Sequence, residues 1–162
     1  MALRRLRAAL LAAPALLGAA LPAGGADMGF VLTLNLSPRA QARMAQLREG
    51  IIVMASYYGD AAPGADAHTD DVGRIDLGTE TFTLPDGATR VQISGRTFRA
   101  DRLKWVAGSP MVNVNLFSAR RAVSDNILAC DFVDTEVAKL RPKPVHLRCA
   151  LITEGEETQF RP

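Results

Sequence analysis

Met111-Val-Asn-Val-Asn-Leu-Phe117 alternates apolar and polar side chains with a period of two. That period is typical of a strand with one buried face and one exposed face. Two more apolar segments follow, Ile127-Leu-Ala-Cys-Asp-Phe132 and Val145-His-Leu-Arg-Cys-Ala-Leu-Ile152. Three strand patterns so close together, with turn-forming residues between them, predict that this third of the chain is the centre of a β-fold.

The chain upstream of this stretch continues the same kind of pattern. Phe30–Leu36 alternates cleanly and predicts a half-buried strand, and Ile51–Tyr58 is apolar on both faces, which suits a central strand. Ser37-Pro38 supplies an N-cap and a proline at the first helical position, so one short helix is expected after the first strand. We predict an all-β antiparallel sandwich of about seven to nine short strands, with a small β-barrel as the alternative architecture.

Three further segments complete the predicted order of elements. Arg74–Leu77 and Glu80–Leu84 indicate short strands that break at Gly78. Phe98–Val106 alternates apolar and basic side chains and is predicted as a strand. Residues 153–162 show no periodicity and are predicted to form a flexible tail.

The N-terminal residues have the pattern of an export signal. Arg4, Arg5 and Arg7 precede the apolar run Ala8–Leu21, which is short for a membrane span, and Ala23-Gly-Gly-Ala26 offers small residues for cleavage. We therefore predict a cleaved secretory signal peptide at residues 1–26, a single domain at 27–162, and a periplasmic or secreted location. Removal of the signal leaves 16 basic and 17 acidic side chains, so the charge gives no reason to expect a nucleic-acid partner.

The two cysteines of the chain lie in two of the predicted strands, at Cys130 and Cys149. An exported chain with two cysteines most simply forms one disulfide, which would stabilise the fold by roughly 3 kcal/mol for a loop of about 20 residues. The chain has no Cys-x-x-Cys motif, and both cysteines have apolar neighbours, which favours a structural disulfide over a reactive thiol.

An acidic loop at residues 60–71 is the first candidate site. Asp66, His68, Asp70 and Asp71 provide oxygen ligands of the kind that Ca²⁺ prefers, although the spacing lacks the glycine and the glutamate of an EF-hand. The competing interpretation is a solvated loop without a ligand. One alternative function for the chain is a metal-dependent hydrolase that uses this loop.

A basic segment at residues 88–121 is the second candidate. Arg99, Arg102 and Trp105 combine positive charge with an aromatic side chain, a combination that binds anions. For an exported chain the expected partner is an anionic envelope component or an acidic protein surface rather than nucleic acid. The competing interpretation is a solvated basic face.

A polar patch around the opening stretch is the third candidate. Asn113, Asn115, Arg120 and Arg121 offer amide and guanidinium donors that would suit a carboxylate or a sugar. The competing interpretation is the outward face of a strand followed by a loop.

Enzymatic functions have little support in the sequence. His68 and His146 are the two histidines, and the chain has no Gly-x-Ser-x-Gly motif, phosphate-binding loop or dinucleotide fingerprint. We assign no catalytic residue and no cofactor. The expected function is a non-catalytic binding module for a protein or an anionic envelope component. Besides the hydrolase, one alternative is a secreted inhibitor that presents the loop Gly59–Gly73 to a foreign enzyme, and pairing of acidic and basic faces into a homo-oligomer is a further hypothesis.

Overall fold

The protein folds into two β-sheets that pack face to face. The computed structural model describes residues 28–85 and 87–161. The predicted signal peptide at 1–26 lies outside the described residues. Two helices and three short 3₁₀ turns, at Asp66–His68, Ala100–Trp105 and Ile152–Glu154, accompany the strands of the described chain. In chain order the strands and helices are β1 (Phe30–Leu36), α1 (Pro38–Leu47), β2 (Ile51–Ala61), β3 (Arg74–Leu84), β4 (Arg90–Ile93), β5 (Val106–Ser118), β6 (Leu128–Cys130), β7 (Phe132–Glu136), α2 (Val137–Leu140), β8 (Val145–Leu151) and β9 (Phe160–Arg161).

The strand order confirms the predicted all-β sandwich. One sheet has the order β4-β1-β8-β6 and the other has the order β3-β2-β5-β7-β9, and neither closes into a barrel within the described chain. Most neighbouring strands are antiparallel, but β1 pairs with β8 and β7 pairs with β9 in parallel. Both parallel pairs join strands that are distant along the chain, so the tight turns that make neighbours antiparallel do not constrain them.

The core lies between the two sheets and follows the alternation that the sequence shows. In β1, and in β5 from Val112 onward, buried side chains alternate with less buried ones, because successive side chains of a strand point to opposite faces. The inward side chains are mainly aliphatic, and they include Leu32, Leu34, Val53, Ala55, Ile75, Leu77, Val112, Val114 and Leu147.

Helix α1 begins where the sequence predicts and closes one end of the sandwich. The Ser37 hydroxyl accepts a hydrogen bond from the Ala40 N–H at 3.0 Å, and Pro38 occupies the first turn. Ala40 and Met44 are buried and dock the helix on the core. The helix ends at Leu47, and Arg48 takes the left-handed conformation (φ 51°) that terminates it, rather than the glycine two residues later.

The predicted break at Gly78 is a bulge within one continuous strand. Strand β3 runs through Arg74–Leu84, and its register with β2 shifts so that Tyr57 lies opposite Gly78 and Tyr58 lies opposite Asp76. Gly78 has φ +106°, a conformation that favours glycine. The bulge keeps Ile75 and Leu77 on the inward face on one side of the shift and Phe82 and Leu84 on the other, together with the buried Glu80.

Two of the strand predictions are wrong. Phe98–Val106 was predicted as a strand, but Ala100–Trp105 is a 3₁₀ helix and β5 begins at Val106. The 3₁₀ helix is fixed by contacts with a distant strand, since the Arg99 N–H donates to the Leu77 carbonyl at 2.8 Å. Ile127–Phe132 was predicted as one strand, but it divides at Asp131 into β6 and β7, which belong to different sheets.

Residues 153–161, predicted as a flexible tail, follow a defined path in the structure. They leave the edge of the four-stranded sheet, where Arg148 pairs with Glu156 at 2.8 Å, and reach the other sheet as β9. The buried Asp131 carboxylate accepts the Gln159 N–H at 2.9 Å and the Arg161 guanidinium at 2.9 Å. One carboxylate at the point where the chain changes sheets therefore also holds the C-terminal strand.

The predicted disulfide is present and joins Cys130 to Cys149. The two residues lie opposite each other in the β6–β8 pair, with Cys149 buried in the core. The disulfide therefore links the edge strand of the four-stranded sheet to its neighbour. Among the described helices, none has the length and apolar composition needed to cross a membrane.

Candidate functional site

The outer face of the five-stranded sheet, called here the outer surface, carries large apolar side chains that are open to solvent. Alternation along each strand directs them away from the core. They are half-buried except for Phe160, which is 47% exposed, and Phe132 and Phe160 contact each other on adjacent strands with ring centroids 5.8 Å apart. The set consists of Ile52, Met54, Tyr58, Met111, Phe117, Phe132 and Phe160.

The outer face of the four-stranded sheet has a different composition. Its outward positions are mainly polar or charged, with Val31, Ala129 and Ala150 as apolar exceptions, and the Thr33 hydroxyl lies 2.6 Å from His146 Nδ1 across the β1–β8 pair. An antiparallel sheet with one face on the core ordinarily has such a polar outer face. The large apolar side chains on β2, β5, β7 and β9 therefore distinguish the outer surface, whose β3 edge is polar and carries Thr79, Thr81, Thr83, Asp76 and Arg74.

Asn113 and Asn115, two of the predicted binding residues, lie in the middle of the outer surface. The Asn115 side-chain amide donates a hydrogen bond to the Asn113 side-chain oxygen. Asn115 is exposed and lies opposite Met54 on β2, and Asn113 lies opposite Asp134 on β7. The two amides provide polar contact points among the apolar side chains.

A cleft of about 310 Å³ lies at one end of the outer surface. Tyr58 forms part of its wall; its hydroxyl donates a hydrogen bond to the Asp134 carboxylate, and the Arg74 guanidinium lies 4.2 Å from the ring centroid. Burial, together with the hydrogen bond to Asp134, raises the pKa of Tyr58 to about 12. The ring therefore stays neutral at physiological pH and is held rigidly by a carboxylate and a cation.

Arg120 and Arg121, also predicted as binding residues, follow the other end of β5. The Arg120 guanidinium lies 5.8 Å from the Phe117 ring centroid, which places Arg120 at the border of the outer surface. Arg121 instead contributes its backbone N–H to the buried Glu49 carboxylate at 2.8 Å. Three of the predicted binding residues, Arg120, Asn113 and Asn115, therefore lie on one surface. Arg121 instead has a structural role through its backbone N–H.

Arg99, Arg102 and Trp105 lie before the start of β5, at the opposite end from Arg120 and about 40 Å away along the strand. Both arginines pair with the Asp76 carboxylate, at 3.5 and 3.1 Å. Trp105 stacks on His68 with ring centroids 3.8 Å apart. The basic segment therefore does not form one continuous face, and the two arginines already have a carboxylate partner.

The acidic loop does not gather its side chains around one point. His68 stacks on the tryptophan ring, and the Asp70 carboxylate closes a turn by accepting the Val72 and Arg74 N–H groups at 3.0 and 2.8 Å. Across residues 28–85 and 87–161, no group of three His, Cys, Asp or Glu side chains is placed to hold a metal ion. The four predicted metal ligands, Asp66, His68, Asp70 and Asp71, are therefore not assembled into a site.

Two features of the candidate site escaped the reading of the sequence. Ile51–Tyr58 is correctly predicted as a central strand, because β2 lies between β3 and β5, but the prediction did not include that Ile52, Met54 and Tyr58 face solvent. Phe160 was assigned to the tail, but it extends the outer surface through its contact with Phe132. The strand pattern itself contained the first signal, since two apolar faces require either burial or a partner.

The outer surface has no counterpart of known function with which it can be compared. Its large apolar residues come from four strands that are spread between Ile52 and Phe160 in the sequence, so no short motif describes them. Comparisons of this chain with protein-family models, with curated proteins and with solved structures find no match.

Proposed function

We propose that this chain is a non-catalytic binding module that binds a protein partner through the outer surface. The observation that carries the proposal is the group of large apolar side chains on β2, β5, β7 and β9, which is bordered by threonine, aspartate and arginine side chains on β3, whereas the outer face of the other sheet is mainly polar. Exposed apolar patches rimmed by polar residues mark sites of protein–protein interaction. Aromatic and methionine side chains are enriched in the centres of such interfaces, and the outer surface combines four aromatic rings with Met54 and Met111.

The dimensions of the outer surface suit such an interface. Four inter-strand spacings give a width of about 19 Å, and the eleven residues of β2 give a length of about 33 Å. The resulting area of about 600 Å² approaches the 800 Å² or so that each partner buries in a standard interface. One face of the sheet is thus large enough for specific recognition of a folded protein.

A protein partner is favoured over an anionic envelope component by the distribution of charge. Arg99 and Arg102 are paired with Asp76, so their charge is partly neutralised before any ligand arrives. The centre of the outer surface has apolar side chains and neutral amides rather than a cluster of cations. An apolar protein surface with a few amide or hydroxyl groups is the complement of that composition.

We also propose that the chain is exported and acts in the periplasm or outside the cell. The basic and apolar pattern of residues 1–26 supports export. The disulfide between Cys130 and Cys149 agrees with it, because such bonds persist in oxidising compartments.

The test is a quantitative affinity purification from envelope extract with three baits. These are the wild-type chain, an Asn115→Arg variant on the outer surface, and a Gln92→Arg variant on the exposed side of β4. We expect at least one protein that is retained by the wild type and by Gln92→Arg but is reduced about tenfold or more with Asn115→Arg, because a buried unpaired guanidinium is costly at an interface.

Matched thermal unfolding of the three baits shows that each is folded, since both substituted positions are exposed. A set of retained proteins that is identical for Asn115→Arg and Gln92→Arg would refute the outer surface as the binding site.

A further inference from the structure

A groove at the α1 end of the sandwich lies apart from the outer surface. Its enclosed part is a pocket of about 240 Å³ beneath α1, between β1 and the connection that joins β3 to β4. Leu34, Leu36, Met44 and Ile51 line it with apolar surface, and Gln41 contributes an amide. The pocket therefore combines an apolar wall with polar groups, since Asn35 and Glu49 line it as well, and ligand sites commonly combine the two.

The pocket exists because β4 is shorter than β1. Pairing of the two strands stops at Thr33 and Arg90, after which one bond, from the Leu34 N–H to the Thr89 carbonyl at 2.7 Å, joins them. Beyond that bond, Gly87 and Ala88 line the pocket and do not pair with β1. The edge of β1 at Asn35 and Leu36 is left to line the groove.

An open depression of about 320 Å³ continues the groove onto the outer face of the four-stranded sheet. It shares Leu34, Asn35 and Thr89 with the enclosed pocket and adds Arg90 and His146 to the lining. The groove thus runs from an enclosed end, where Glu49 interrupts the apolar wall, to an exposed end beside Arg90 and His146.

The two ends differ in charge as well as in polarity. No salt bridge reaches the exposed Arg90 in the part of the chain that the structure describes. His146 uses Nδ1 for its contact with Thr33, which leaves Nε2 facing away from that contact. At the enclosed end Glu49 forms part of the wall, and its carboxylate is held by backbone N–H groups rather than by a cation.

We propose that this groove binds a small amphiphile with one anionic head group, of the medium-chain carboxylate class. The apolar chain occupies the pocket beneath α1, and the head lies beside Arg90 at the open end. A volume of about 240 Å³ holds about eight groups of the size of a water molecule, which sets the chain length near eight carbons. Glu49 at the enclosed end disfavours a second carboxylate on the far end of the ligand.

The test is a titration of the folded chain with octanoate, octylamine and the eight-carbon dicarboxylate suberate, followed by calorimetry and by amide NMR shifts. We expect octanoate to bind most tightly, with shifts centred on Leu34, Met44 and Ala88. Each methylene removed from the carboxylate weakens binding about fourfold, because the chain is buried. An absence of octanoate binding up to about 5 mM, or equal binding of octylamine and octanoate, overturns the proposal.

Two variants separate the groove from general adsorption. Arg90→Gln should weaken octanoate binding about three- to fivefold, whereas Arg96→Gln, which changes another exposed arginine without a salt bridge, should leave it unchanged. Ala88→Leu fills the pocket and should abolish binding while amide spectra show a folded chain. Unchanged octanoate binding in folded Ala88→Leu, or shifts centred on the outer surface, overturns the assignment to the groove.

Discussion

The Glu49 carboxylate accepts three backbone hydrogen bonds, from the N–H groups of Gly50, Arg121 and Ala122 at 3.1, 2.8 and 2.9 Å. The side chain is fully buried. It joins the junction between α1 and β2 to the loop that follows β5, more than 70 residues later in the chain. Because Arg120 lies in that loop, Glu49 also positions one border of the outer surface.

Replacement of Glu49 by Ala removes the acceptor for three backbone N–H groups. We expect the free energy of unfolding to fall by about 3 kcal/mol, since a hydrogen bond to a charged group contributes on the order of 1.5–3 kcal/mol and the exposed Arg121 and Ala122 can exchange theirs for water. Urea denaturation measures the change. The matched control is Glu157→Gln at an exposed acid, which should stay within about 0.5 kcal/mol of wild type; equal effects of the two substitutions would contradict the structural role of Glu49.

The Asp131 carboxylate holds the C-terminal strand through charged hydrogen bonds, so its contribution to the free energy of unfolding depends on pH. Burial acts to raise the pKa of this carboxyl, but the hydrogen bonds from the Gln159 and Arg148 N–H groups and the contact with Arg161 outweigh burial and hold its pKa below the usual value. A depressed pKa in the folded state stabilises the fold above the unfolded-state pKa of about 3.9. That stabilisation is lost as the pH falls through the lower folded-state value.

The corresponding prediction concerns an Asp131→Asn variant. It should be less stable than wild type at neutral pH by about 2 kcal/mol, because charged hydrogen bonds are lost. The difference should shrink as the pH falls from about 5 to 2, when the wild-type carboxyl becomes protonated. Unfolding free energies across this pH range provide the measurement, with Asp101→Asn as an exposed control; a difference that stays constant with pH would contradict the assignment.

At the scale of single elements, β3 depends on one glycine. A Cβ at Gly78 would overlap the Thr97 carbonyl oxygen, and the backbone there has φ +106°. Gly73 also has a positive φ, +81°, but a Cβ at that position meets no atom within 4 Å. The two glycines therefore share the conformational requirement and differ in the space around them.

Gly78→Ala and Gly73→Ala separate these two effects. We expect Gly73→Ala to lower the free energy of unfolding by about 1 kcal/mol, through backbone strain alone. Gly78→Ala should cost about 3 kcal/mol or more, because the Thr97 carbonyl must also move. Thermal or urea unfolding of both variants measures the costs, and a Gly78 cost no greater than the Gly73 cost would show that the turn after β4 yields easily.

The elements differ in how far the sequence determines them. Strand β1 follows from its alternation of apolar and polar residues, and the start of α1 follows from its N-cap and proline. Both bounds of β1 and the first residue of α1 are as predicted. The division of Ile127–Phe132 does not follow from local pattern, since Asp131 is fixed by Arg148 and by tail residues about 30 positions away. The 3₁₀ helix Ala100–Trp105 likewise depends on contacts with β3.

At the scale of the whole molecule, local sequence patterns predict only part of the candidate site. Asn113, Asn115 and Arg120 were predicted as binding residues from their own strand and loop, and they do share one surface. The apolar neighbours come from β2, β7 and β9, and which strands lie side by side is set by the packing of the complete sandwich. Sequence alone therefore identified part of the surface and none of its apolar character.

The disulfide belongs to the four-stranded sheet, away from the outer surface. Replacement of both Cys130 and Cys149 by Ala should lower the free energy of unfolding by roughly 3 kcal/mol, as expected for closure of a loop of about 20 residues. Binding of the proposed protein partner should be unchanged under conditions where the variant is folded. Calorimetric unfolding and partner retention are measured together, and loss of the partner by a folded double variant would mean that the disulfide region takes part in binding.

The central claim, that the outer surface of the five-stranded sheet binds a protein, is tested most directly by site-specific photo-crosslinking in the producing cell. A photoreactive amino acid replaces Met54 or Asn115 on the outer surface, or Gln92 on the opposite sheet. We predict that Met54 and Asn115 give crosslinks to the same protein and that Gln92 gives none to it. Crosslinks of equal yield to that protein from Gln92, or none from either position on the outer surface, would contradict the claim.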